Sequence, residues 1–120
     1  MPRHEYAARH GTLPPPPHVV WDDLVAPRRT GARVWLDLRG DERVPRVLES
    51  VAPIRVVWSS LWPDLGDDRV ELTLSPRGAD TRLDVVVVGF GDPPSSEQAA
   101  AVRHRLGELL FRDLRLSYGQ

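Results

Sequence analysis

The chain has 120 residues with 16 basic and 17 acidic side chains, a net charge of −1; that suffices for one modest core but sets up no one-signed field to attract nucleic acid or an anionic bilayer. Every basic residue is Arg, while Lys and Asn are absent, a pattern of codon usage in a GC-rich genome, and the lack of Cys excludes disulfides and thiolate chemistry. Residues 1 to 20 mix Arg, His, Glu and Pro with no apolar run, and no stretch approaches the ~20 apolar residues of a membrane span, so a cytoplasmic protein with neither leader nor transmembrane segment is expected.

In chain order, Tyr6 and Ala8 alternate with charged neighbours as an edge strand does. Pro14 to Pro17 form a stiff polyproline step, readable as a connector or as a docking motif for an aromatic-lined groove. Pro17 suits the first turn of a short helix over residues 17–25, carrying Val20, Trp21, Leu24 and Val25 inward until Pro27 stops it. Arg28 to Gly31 reads as a loop. From Arg33 the period becomes two: Val34, Leu36 and Leu38 alternate with Trp35, Asp37 and Arg39, and Gly40-Asp41 offers a turn into a second strand over 43–51, made irregular by Pro45. A clear strand over 54–61 puts Ile54, Val56, Trp58 and Ser60 on one face and Arg55, Val57, Ser59 and Leu61 on the other. After a turn-rich link, Val70, Leu72 and Leu74 alternate with polar residues, Ser75 to Asp80 forms a hairpin loop, and Thr81 to Phe90 returns with Leu83, Val85 and Val87 inward.

The last quarter carries the strongest pattern. Pro93-Pro94 ends the preceding strand, Ser95 or Ser96 can cap a helix, and Glu97 sits at its positive end. Ala99, Val102, Leu106, Leu109, Leu110 and Leu114 then recur at helical spacing to about Tyr118. Short turns between consecutive strands, a short early helix and a long last one predict an α+β domain spanning 1–120, a curved antiparallel β-sheet packed around the C-terminal α-helix.

The order of these segments resembles the START-like (SRPBCC) superfamily. Its P-x-x-V-W-x-x-L entry to the first helix is matched from Pro17 to Leu24, and within the superfamily the pattern is most similar to the heat-shock-protein-90 ATPase activator homologues. Their P-x-R-L-V pattern is similar to Pro53-Ile54-Arg55-Val56-Val57, and their late hairpin is similar to Gly78-Ala79-Asp80-Thr81-Arg82-Leu83. The chain departs from the pattern by compressing the region between Leu24 and Pro53 and by carrying Leu106-Gly107-Glu108 where a Gly-Trp pair is usual. The resemblance implies a helix-grip fold whose relatives bind lipids, polyketides or other apolar molecules and occasionally act on them; it implies no cofactor.

The side chains carry little catalytic signal. His4, His10 and His18 lack any established metal spacing, and no nucleophile elbow or phosphate loop is present. His104, four residues before Glu108 on the last helix, is either a surface partner of that carboxylate or, facing inward, the acid or base of a cyclase- or dehydratase-like enzyme. The expected function is non-catalytic binding of a small hydrophobic molecule between sheet and helix, lined by Trp35, Trp58, Trp62, Leu72, Leu74, Val85, Val87, Val102, Leu106 and Leu110. The alternative is that the tryptophans fill the core of a protein-interaction module, or of a homodimer formed through Val57, Leu61, Val86 and Val88 on the outer sheet face. Gly107 reads as a point of close approach in the last helix, and Asp84 as an outer-face partner of Arg82.

Overall fold

The computed structural model describes residues 3–27 and 35–119; the expected loop at 28–31 and the start of the expected strand at Arg33 and Val34 lie outside them. Strand β1 (His4–Leu13) leads through the proline step into helix α1 (Pro17–Leu24), followed by β2 (Val47–Val51), β3 (Arg55–Ser59), β4 (Arg69–Arg77) and β5 (Asp80–Gly89). The C-terminal helix α2 (Ser96–Glu108) continues as a six-residue π-helical segment (Leu109–Leu114) and a last turn (Arg115–Ser117). The sheet is antiparallel throughout in the order β1-β5-β4-β3-β2, and its inner face grips the two helices.

Local chemistry explains these elements. Ser95 caps α2 reciprocally: its hydroxyl accepts from Gln98 N (3.1 Å) while its own N–H donates to the Gln98 side chain (3.2 Å). Pro17 occupies the first position of α1, where a missing N–H costs nothing. The proline step acts as a connector, its Pro15 carbonyl accepting from Thr81 Oγ1 (2.8 Å) in β5. The two ends of the chain's helical layer meet where Tyr118 donates to Asp23 Oδ2 (2.6 Å).

The core joins Val56, Trp58, Val70, Leu72, Leu74, Leu83, Val85 and Val87 of the sheet to Val20 and Leu24 of α1 and Val102, Leu106, Leu109, Leu110 and Leu114 of the last helix. Trp58 is fully buried, its indole N–H donating to Leu24 O (2.8 Å), and it stacks on Trp35 with ring centroids 6.2 Å apart. The helix approaches β1 closely at two glycines. A Cβ on Gly11 would lie 2.7 Å from the Phe111 ring, and one on Gly107 would lie 2.6 Å from the Arg9 guanidinium.

Several expectations need correction. Residues 35–39 form no strand, because Trp35 and Leu36, adjacent in sequence, are both buried in the core, which strand alternation forbids. The strand expected over 43–51 begins only at Val47, two residues after the buried Pro45, and carries a bulge between Val47 and Glu49. β3 ends at Ser59, so Leu61 turns into the core instead of outward, and Ile54 sits exposed in the hairpin turn instead of facing inward. The loop expected from Ser75 to Asp80 shrinks to a two-residue turn: Arg77 pairs with Asp80, and Gly78 at φ 61° makes the reversal.

On the outer face Val57 and Val88 are buried and Val86 half-buried. That face is dressed with ion pairs, Arg3–Glu71 (2.7 Å), Arg55–Glu49 (3.1 Å), Arg55–Glu71 (3.5 Å) and the two-pronged Arg82–Asp84 pair (3.0 Å). It therefore presents charge where an apolar surface was expected.

Candidate functional site

At one end of the sheet the first turns of α2, the Arg39–Glu42 turn and the Trp62–Leu65 segment leave a cavity of about 340 Å³ between them. Trp62, Leu65, Ala101 and Val102 supply its apolar walls, and Arg39, Glu42, Asp64, Gln98 and Arg105 its polar groups. Each wall has a local cause. Gly40, at φ 47°, turns the chain so that Glu42 N can donate to Arg39 O (2.8 Å), and Pro63 starts a 3-10 turn (Pro63–Leu65) that holds Asp64 and Leu65 beside Trp62.

The polar side is built around one pair. Arg105 and Glu42 side chains are 9% and 8% exposed, and the guanidinium donates to both carboxylate oxygens from Nε (3.2 and 3.0 Å) and again from a terminal nitrogen (3.0 Å). The remaining donors of Arg105 reach Asp37 O (2.5 Å) and Glu108 Oε1 (3.3 Å). Glu42 also accepts from Arg39 N (2.8 Å) and from the Trp62 indole N–H (3.1 Å), which pins the aromatic wall to the charged one.

Burial by itself would raise the Glu42 carboxyl, but the hydrogen bonds from Arg105 and the Arg39 backbone, the Arg105 charge and the Trp62 donor together hold it below the usual carboxylate range. The Arg105 guanidinium is held above its ordinary value, first by the hydrogen bond to Glu42 and against the opposing effect of burial. Both groups are ionised across the physiological range, and their hydrogen-bonding capacity is spent on each other and on their neighbours. Behind Asp64, Tyr6 donates to Asp68 Oδ2; burial first, and then that bond, push the phenol up and keep it a neutral donor.

Of the ten residues expected to line a ligand site, the structure brings Trp62 and Val102 to the cavity. Trp35, Trp58, Leu72, Leu74, Val85, Val87, Leu106 and Leu110 lie in the closed core behind it. His104 is in neither the cavity nor the core: its side chain is 76% exposed and lies 3.7 Å from Glu108 Oε2, the surface pairing. Sequence reasoning missed Glu42 and Arg105. Arg105 follows Val102 by three positions on the buried stripe of α2, a spacing that placed it inward, while Glu42 in a turn gave no signal. Among the described residues no group of three His, Asp or Glu side chains could hold a metal ion, and no helix is long and apolar enough to cross a membrane.

No family model and no curated protein matches the sequence. Solved structures do match the architecture. CalU16 from Micromonospora echinospora aligns with a TM-score of 0.67 at 21% identity, over 91% of this chain and 71% of that one. An AHSA1-like protein from Rhizobium etli aligns with a TM-score of 0.63 at 21% identity, over 99% and 84%. The fold is that of the Aha1-like START (SRPBCC) proteins. A third such structure, the Aha1 dimer from Colwellia psychrerythraea, aligns at 0.61 and 12% identity over 96% of this chain and 94% of its own. At these identities the likeness to the SRPBCC structures is one of fold, and the helix-grip arrangement is what they share with this chain.

Proposed function

We propose that this chain binds, without transforming it, a compact apolar molecule of aromatic type in the end cavity, against Trp62, Leu65, Ala101 and Val102. The observation that carries the reading is the cavity itself, with three apolar side chains and an indole converging beside a few fixed polar groups. At about 340 Å³ it stands at the small end of ligand sites, which favours one condensed ring system over a long acyl chain. Arg39, Asp64 and Gln98 are exposed at the mouth and would orient a polar substituent, while the saturated Glu42–Arg105 pair fixes the wall's shape. The enzyme alternative through His104 finds no support in its position, since a side chain in bulk solvent cannot act on a molecule held in this cavity.

The test is tryptophan fluorescence titration of the full chain against small aromatic and polyketide-like compounds, with native mass spectrometry for any retained molecule. Saturable quenching is expected, weakened at least about tenfold in Ala101→Phe, whose exposed position lets a ring enter the cavity without disturbing the core, and unchanged in His104→Ala. Equal affinity in wild type and Ala101→Phe would place the ligand elsewhere and refute the proposal.

A further inference from the structure

Five of the six large apolar side chains exposed among the described residues cluster on or beside one sheet edge: Val44, Val47, Leu48, Val51 and Ile54, each 37–52% exposed. All five residues of β2 are exposed, and among the described residues β2 pairs on one side only, with β3. The opposite edge is treated differently. There the carbonyls of Ala8 and Thr12 in β1 accept from Arg103 Nε (3.0 Å) and from the Arg115 guanidinium, so the last helix covers that edge with its own cations.

The β2 sequence is complementary to itself in one register. Arg46 lies opposite Ser59, whose N–H donates to Arg46 O (2.8 Å), and Glu49 lies opposite Val57, so both face outward with Ser59 and Val57. Residues three apart on a regular strand would face opposite ways; Leu48, the extra residue of the bulge, brings Arg46 and Glu49 to the same face. We propose that β2 pairs antiparallel with β2 of a second copy of this chain, about a two-fold axis between Val47 and Leu48. Arg46 then stands opposite the partner's Glu49 and Val47 opposite the partner's Leu48, each pairing occurring twice, with Val44 opposite the partner's Val51 at either end.

Neighbouring registers lose this match. A shift of one residue sets Val47 against the partner's Glu49 or Arg46 against the partner's Leu48, and centring on Glu49 sets two carboxylates face to face. Glu49 can turn to the partner because its present partner, Arg55, keeps Glu71 at 3.5 Å. Assembly stops at two copies, since pairing consumes both β2 edges and leaves only the arginine-covered β1 edges outside. Eight facing residues a side bury on the order of 1,000 Å², the lower end of specific interfaces, so a dissociation constant in the ~10–100 μM range is expected.

The experiment is sedimentation velocity of the full chain from about 1 to about 500 μM. The wild type is expected to pass from monomer to dimer across that range. Arg46→Glu and Glu49→Arg, each of which sets like charges opposite one another twice, should weaken it at least about tenfold, and the double variant, which restores opposite charges with the order reversed, should return to within about threefold of wild type. Both positions are exposed, so unchanged melting temperatures are expected and separate loss of pairing from loss of fold. A monomer up to about 500 μM, a dimer indifferent to the single variants, or a double variant no better than either single would overturn the proposal.

Discussion

Replacing Glu42 by Gln keeps the size of the side chain and removes its negative charge. Arg105 would then stand 9% exposed with Glu108 at 3.3 Å as its remaining carboxylate and Asp37 O as a neutral acceptor. Breaking a buried ion pair from one side costs about 3–5 kcal/mol where nothing else compensates; these two residual partners and the water in the adjoining cavity reduce that to about 2–3 kcal/mol. For a domain of this length the loss lowers the melting temperature by about 10 °C. Arg105→Met should cost a similar amount by leaving the carboxylate, among the described residues, with Arg39 N and the Trp62 indole. The double variant should cost clearly less than the sum, with a coupling of about 2 kcal/mol. Urea unfolding of the four proteins at pH 7 measures this cycle. The pH dependence has a definite sign. Because the folded carboxyl of Glu42 is depressed, its contribution is complete above the ordinary glutamate range and is lost as the pH falls through the folded value, so the gap between wild type and Glu42→Gln should close below about pH 4. Additive single effects, or a gap that widens in acid, would refute the reasoning.

Two further outcomes separate packing from propensity. Gly11→Ala should destabilise by about 1–2 kcal/mol because its Cβ meets the Phe111 ring, whereas Gly107→Ala should be neutral or stabilising by up to about 1 kcal/mol, since the flexible end of Arg9 can move aside and the helix gains a better former; paired thermal melts decide it. Ser95→Ala should cost about 1 kcal/mol by opening the capping box, read by urea unfolding, with no change in the core tryptophan signal of the folded state.

Strand alternation and helical spacing made most of the architecture legible. β4, β5, α1 and the last helix lie within a few residues of their expected bounds because each has one buried and one solvated face, so its period is written in the apolar residues. The stretch from Trp35 to Pro45 was not legible. Its alternation is that of a strand, yet the side chains of Trp35 and Leu36 enter the core together, and Asp37 uses its carbonyl for Arg105 68 residues away. A contact of that range has no local signature. The same holds for Glu42, which looks like one more turn carboxylate until the fold brings Arg105 and Trp62 to it.

The position of the cavity follows from where the chain economises. A helix-grip sheet can leave a hollow along the length of its last helix, but here Trp58, stacked on Trp35 and bonded to Leu24 O, occupies the middle of that space with Leu72, Leu74, Val85 and Leu106 around it. Closing the middle moves the apolar hollow to where the filling side chains run out, at the first turns of α2. At that end an apolar wall alone would collapse onto Val102. The Glu42–Arg105 pair prevents this, because a guanidinium bonded to a carboxylate, a backbone carbonyl and a second carboxylate cannot move inward without abandoning those partners. Trp62, tied to the same carboxylate, is held off in turn. The buried charge is therefore a strut as much as a contact, and the Glu42→Gln variant should narrow the cavity as well as loosen the fold, which ligand titration of that variant would register as weakened binding at temperatures where it is still folded.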